Sequence, residues 1–404
     1  MTIVLVAEIV QVAILNIHLK TINKMKRFLL LVAVAVFCVN VVEAQSVAEL
    51  PKELHTSGWK AGHVQGIAVD SQRKYVYLSF TTMLVKMDMQ GNIVGTVTGL
   101  LGHLGCLEFN EEDGRVYGSL EYKDDSIGRG IMRHAGVSKQ LETGFYVAIF
   151  DVDKITRKGM SAEKDGVMTT VLLKSVVKDY QAKVKDASGK VLEHRHGCSG
   201  FDGISFGDAF DGSGKRLLTI AYGIYSDKSR SDNDYQVLLQ YDTRKWAKYE
   251  SPLSQDNMHH RGPAKPDGKY FVYTGNTNWG VQNLEYDKDS KRWFLACYRG
   301  KKPTYSNFSL YVVDGAKKAE YKPLKGVSYV KRGAVLSLAE GGKVDTYDST
   351  IRGWHNKYGA YGVCALGNGY FYLASGGKVN CLRTATLHLA KFIGADDCAF
   401  ELVK

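Results

Sequence analysis

The chain has 404 residues, 53 Lys and Arg against 42 Asp and Glu for a net charge of +11, and 45% apolar residues. That balance excludes a disordered chain, and 42 Gly with only 6 Pro and no glycine period exclude collagen. The 24 Tyr and 15 Phe, set among dense Val, Ile and Thr, favour strands over helices and hence a large all-β domain.

In chain order, the first feature is an export signal. Met25-Lys26-Arg27, the apolar run 28–39 and then Val42-Glu43-Ala44 supply its charge, core and small-residue cleavage site, so residues 1–44 read as a signal peptide cut after Ala44. Phe37 is too large for the residue that precedes a lipidated cysteine, which sets aside a lipoprotein reading of Cys38. The apolar run 3–17 is short for a membrane span. Residues 1–24 are therefore read as lying upstream of a true start at Met25, and the expectation is a mature chain from Gln45, periplasmic or secreted, monomeric and without a stable membrane anchor. Loss of Lys20, Lys24, Lys26 and Arg27 with Glu8 and Glu43 lowers the net charge from +11 to +9. The cations are scattered, which argues against nucleic acid and suits an acidic polysaccharide or plain solvation. Six cysteines remain, of which Cys381 and Cys398, on either side of the strand-like stretch 384–392, are expected to form a disulfide.

A weak repeat organises the rest. A glycine-containing lead-in followed by a short strand recurs at 63–70, 103–110, 200–207, 280–287 and 360–367. A second strand follows each at 75–79, 115–119, 216–220, 292–296 and 370–374, across turns rich in Asp, Asn, Ser and Gly. Third strands ending in Asp occur at 84–88, 146–151, 237–242 and 310–314, and a fourth at 92–97. Four antiparallel strands repeated along a chain are the sequence form of a β-propeller, because a sheet with two apolar faces can bury both only between like neighbours. Five blades are visible. Residues 122–144 and 177–197 read as insertions, while 269–273 and 333–338 read as further strands that would allow up to seven. Nothing between 52 and 404 reads as a linker, so residues 45–404 are expected to be one domain.

Ligands in propellers sit where the loops lead into the innermost strands, and these positions are polar here: His63, Gln65, His103, His196, Asp202, Asn276, Asn278, Gln282, Tyr358 and Tyr361. His194, His196 and Cys198 alternate along an extended segment and could bind zinc with a ligand from elsewhere. His259-His260-Arg261 places imidazoles beside a guanidinium in a loop, and Tyr222 to Arg230 and Tyr298 to Tyr305 interleave aromatic and basic residues suited to acidic sugars. Asp232-Asn233-Asp234 resembles half a calcium loop but lacks its glycine and distal glutamate. No G-x-S-x-G, H-E-x-x-H or P-loop motif is present in the mature chain. No cofactor is demanded, with Zn or Ca as the candidates.

The repeats, the signal peptide and the histidines at the mouth resemble secreted bacterial β-propellers, and among them the polysaccharide lyases of the ulvan lyase type, which present His, Tyr and Arg in a canyon across the propeller. The resemblance implies β-elimination on a glycan containing uronic acid, with Arg299 or Arg261 neutralising the carboxylate and His103 or His196 as base. Tyr222 or Tyr361 would be the acid, and His63, Gln65, Asn278, Gln282, Lys302 and Tyr305 would hold the sugar. The alternative is a non-catalytic propeller that binds glycan or a protein partner through the same mouth.

Overall fold

The computed structural model describes residues 46–139 and 141–404; the signal-peptide reading of residues 1–44 lies outside them. Five sheets stand in a ring, each beginning with one of the five repeated segments as its innermost strand: Val64–Val69, His103–Asn110, Cys198–Asp208, Thr277–Asp287 and Val363–Gly367. Each innermost strand touches the next, and the first touches the last, so the ring closes as a five-bladed β-propeller.

Blade one continues through Tyr75–Phe80, Met83–Asp88 and Ile93–Thr98, and blade two through Arg115–Tyr122, Gly144–Phe150 and Met168–Leu172. Blade three adds Arg216–Ile224, Tyr235–Tyr241 and Gly268–Tyr273, while blade four stops after Arg292–Arg299 and Leu310–Asp314. Blade five, with Tyr370–Val379 and Leu382–Ala395, takes its outer edge from both ends of the domain. Glu53–His55 and Cys398–Leu402 pair with different parts of the same long strand, which ties the start of the described chain to its end.

The alternation of side chains explains why the strands read as continuous apolar runs. Tyr146, Ala148 and Phe150 face blade one, whereas Phe145, Val147 and Ile149 on the same strand face blade three. Every blade is buried on both sides in this way. The result is five separate apolar cores, one in each gap between blades.

The two extra strands expected from sequence exist but build no extra blade. Gly268–Tyr273 is the fourth strand of blade three, and Arg332–Val335 lies parallel to it on the outer edge, brought back there after blade four. The long interval after His103 holds two insertions: the helix Ser126–His134, and the helix Lys174–Tyr180 followed by the hairpin Lys183–Lys185 and Val191–Glu193. All six described cysteines are free. Cys381 and Cys398 sit at opposite ends of Leu382–Ala395, a strand of 14 residues, which at about 3.3 Å per residue places them far beyond disulfide reach. Among the described residues no helix is long and apolar enough to cross a membrane.

Candidate functional site

The lead-ins to the innermost strands enclose a cavity of 220 Å³ at one end of the central axis. Its floor comes from two neighbouring blades. His103 begins the inner strand of blade two and pairs across the antiparallel register with Glu121 on the second strand, while Asp202 projects from the inner strand of blade three. His103 Nδ1 lies 3.4 Å from Asp202 Oδ1. Both atoms are shut off from solvent and neither completes a hydrogen bond.

Glu121 is held on both oxygens, with Oε1 accepting from the Phe201 N–H at 2.5 Å and Oε2 facing Lys123 Nζ at 2.7 Å. The close packing of its carboxylate explains Gly200, whose φ of +118° suits glycine and where a Cβ would stand 1.9 Å from Glu121 Oε1. Burial pushes the Glu121 carboxyl above its ordinary range, with Lys123 opposing and Asp202 adding to the shift. Burial also pushes Asp202 upward, but His103, Lys123 and Gln282 outweigh it and leave this carboxyl below its ordinary value. Gln282 Nε2 donates to Asp202 Oδ2 at 3.2 Å.

The wall opposite is aromatic. His63 packs edge-on against Tyr361 at 5.5 Å, and Tyr361 against Tyr298 at 6.1 Å. Gln65 Nε2 lies 3.1 Å from His63 Nε2 and donates to Thr81 Oγ1. Burial first, then the charges of His103 and Arg383, push His63 down to about 4, so its imidazole is neutral near pH 7. A wider groove of 630 Å³ adjoins the cavity through His63, Thr81 and Ile127, and is lined by Trp59, Lys60, Lys378, Arg383 and the helix Ser126–His134. Asp125 caps that helix by accepting from the N–H groups of Ile127 and Gly128.

Of the residues singled out in the sequence, the structure brings His63, Gln65, His103, Asp202 and Gln282 together here, with Tyr361 behind His63. It does not bring the others. His196 is 1% exposed, packed on Phe271 and Tyr329, and burial together with Lys269, Arg195 and Arg230 keeps it neutral. Tyr222 is fully buried and donates to Asp179. Arg299, exposed at the end of its strand, donates to the Asn307 carbonyl, and Arg261, on an exposed loop, donates to that of Lys248. Asn278 accepts from Ser226, Lys302 is buried against Asp234, and Tyr305 donates to Asp234. His194 contacts the Tyr180 carbonyl, His196 contacts the Tyr329 hydroxyl, and burial keeps the Cys198 thiol protonated, so these three do not share a ligand position. Among the described residues, the side chains that do converge in the manner of a metal site are His103, Glu121 and Asp202.

Glu121 and Lys123 are absent from the sequence reading, and Tyr298 enters it only as the start of an aromatic and basic stretch, not as a residue of the mouth. The available signal was the hairpin itself: once 103–110 and 115–119 pair antiparallel, a strand continuing to Glu121 carries that carboxylate back to His103, and the period of two puts Lys123 on the same face.

No protein-family model and no curated protein matches the chain. Among solved structures, it is similar to the β-propeller domain of Cps50 (Swd1) from Myceliophteria thermophila, at 10% identity over 80% of this chain and 82% of that one, with a TM-score of 0.33. The PQQ domain of pyranose dehydrogenase from Coprinopsis cinerea matches at 10% identity over 80% and 81%, with a TM-score of 0.32. A luciferin-regenerating enzyme matches at 11% identity over 85% and 95%, with a TM-score of 0.32. These structures differ widely in function, and the five-bladed ring of this chain rests on its own strand pairing.

Proposed function

We propose that the protein is an exported, carbohydrate-active β-propeller that draws an acidic glycan into the groove at its mouth and cleaves it by β-elimination. The observation that carries this reading is the union of two surfaces: a groove with Lys60, Lys378, Arg383 and Trp59, and a polar cavity that shares three residues with it. Cations in a groove attract a polyanion, and an indole gives a sugar ring a face to stack on.

Elimination needs a base for the proton at C5, a proton for the leaving oxygen at C4 and positive charge at the uronate carboxylate. His63 suits the first task. It is neutral near pH 7, and the Gln65 amide, by donating to its Nε2, marks that nitrogen as the one with the lone pair; the amide keeps its bond to Thr81 and gives up the one to His63 when the proton arrives. Tyr298 suits the second, because burial beside Tyr361 holds its proton. The C5 proton passes to His63, the C4–O bond breaks as the C4–C5 double bond forms, and the leaving oxygen takes the Tyr298 proton. The carboxylate of the reacting unit would meet the floor of His103, Glu121 and Asp202, where it needs a positive charge that these side chains do not supply.

The test is absorbance near 235 nm against a panel of acidic polysaccharides, since elimination creates an unsaturated uronate. His63→Ala should lower turnover about 100-fold, and Arg383→Ala should weaken binding about 10-fold, more at low salt than at high. Salt-sensitive binding without product from any member of the panel would make the protein a non-catalytic glycan module. Neither binding nor product would overturn the glycan reading altogether.

A further inference from the structure

We infer that His103, Glu121 and Asp202 bind one divalent transition-metal ion, Zn²⁺ by donor chemistry, with an open coordination position facing the cavity. Its part in catalysis rests on the lyase reading above; the site itself does not. The ligand atoms of the three side chains lie within 4.8 Å of one another. His103 Nδ1 and Asp202 Oδ1 face each other at 3.4 Å, yet both are buried without a completed hydrogen bond. Two donors on one tetrahedral ion, each about 2.1 Å from it, stand about 3.4 Å apart. A spacing that serves a hydrogen bond poorly therefore serves a shared cation well.

The charge count agrees. Lys123 is the ammonium beside Glu121 at 2.7 Å and Asp125 at 3.8 Å. With Asp202 added, three carboxyl groups crowd the Lys123 ammonium and the His103 ring. A surplus of carboxyl groups in a largely buried place suits a divalent ion. The remaining atoms behave as outer partners of metal ligands do: Gln282 orients Asp202, while the Phe201 N–H and Lys123 fix Glu121. An imidazole with two carboxylates suits zinc, whereas calcium takes six to eight oxygens. Three protein ligands and an open position are the pattern of catalytic zinc. In the lyase reading, the uronate carboxylate fills that position and meets there the positive charge that elimination requires.

The experiment is a titration of the chelator-stripped protein with Zn²⁺ alone, followed by calorimetry and native mass spectrometry. One ion per chain is expected. His103→Ala and Asp202→Ala should each abolish stoichiometric binding, Gln282→Ala should weaken it about 10-fold, and His55→Ala, a surface imidazole beside Glu53, should leave it unchanged. Circular dichroism tests that each variant folds. Should either ligand variant unfold, the Co²⁺ absorption of the unaltered protein reports the ligands instead, with a four-coordinate nitrogen and oxygen spectrum expected. An unaltered chain that takes neither ion, or binding that survives both ligand substitutions, overturns the site. Stoichiometric Zn²⁺ with no 235 nm product from any glycan overturns the lyase reading while the site stands, and product formed by a metal-free chain at full rate overturns the ion's part in catalysis while the lyase reading stands.

Discussion

Replacing Lys302 by Met should cost stability and leave glycan binding alone. Its side chain is 7% exposed, and its ammonium lies 2.5 Å from Asp234 Oδ1 and 3.0 Å from Asn233 Oδ1, with the Arg230 carbonyl as a third acceptor. Methionine keeps most of the packing but strands a buried carboxylate, a change that costs about 3–5 kcal/mol. At about 2.1 cal/mol/K per residue, a domain of this length has an unfolding entropy of roughly 0.75 kcal/mol/K, so a loss of about 4 kcal/mol lowers Tm by about 5 °C. The deficit should depend on pH. Burial already raises Asp234, Lys302 opposes that shift, and removing Lys302 lets the carboxyl rise further. A carboxyl raised in the folded state lends stability below its unfolded pKa and loses it as pH rises through its folded pKa, so the deficit should be smaller at pH 5 than at pH 8. Adding Asp234→Asn should recover part of the loss, since an amide needs no counter-ion. Urea denaturation at both pH values is the assay. A loss under about 1 kcal/mol, or one unchanged by Asp234→Asn, would refute the reasoning, as would a matching fall in glycan affinity.

Two further outcomes follow from buried groups. At the opposite end of the axis, Glu108 and Glu285 line a cavity of 310 Å³, and burial raises both carboxyls; the charge of Glu108 adds to the shift at Glu285, while Arg216 and the hydrogen bond to Glu285 hold back that at Glu108. Stability should therefore decline as pH rises from the ordinary carboxylate range through neutrality, and Glu285→Gln should flatten that decline in thermal melts; an unchanged slope would remove the pair as its cause. Of the described thiols, Cys381 and Cys398 should react with a thiol reagent in the native protein, while Cys106, Cys198, Cys297 and Cys364 wait for denaturant. Slow reaction of the first pair, reversed by reduction, would mean that they are bridged after all.

The parts of the fold legible in the sequence are those where a local rule and a packing rule coincide. The five repeated segments became the five innermost strands because strands crowd at the axis and glycine answers that crowding directly: at Gly66 a Cβ would come within 2.7 Å of the backbone of Cys106 and Leu107 on the next blade. Glycine before a short apolar run is thus a trace of radial packing, and the Asp-ended third strands are a trace of the turns that follow. Blade number was less legible. An outer strand feels only one neighbour, so Arg332–Val335 could leave its place in sequence and add to blade three, where the same residues had suggested another blade. The site divides along the same line. His63, His103, Asp202 and Gln282 lie on the innermost strands or the lead-in to them and were found by position alone, whereas Glu121 and Tyr298 lie on second strands, and Lys123 just past the end of one, so that they reach the mouth only through register. Arginine and tyrosine misled for a further reason: composition records that Arg261, Arg299 and Tyr222 exist, but only packing decides whether a polar tip meets the cavity, a backbone carbonyl or a buried carboxylate. Charge followed packing too. The scattered surplus of Lys and Arg suggested an anionic partner, and three of those cations, Lys60, Lys378 and Arg383, line one groove, where the proposed glycan would enter. The cavity floor beyond it carries the carboxyl groups of Glu121 and Asp202, so on the proposed reading a polyanion drawn in by the groove would need a cation beside it there.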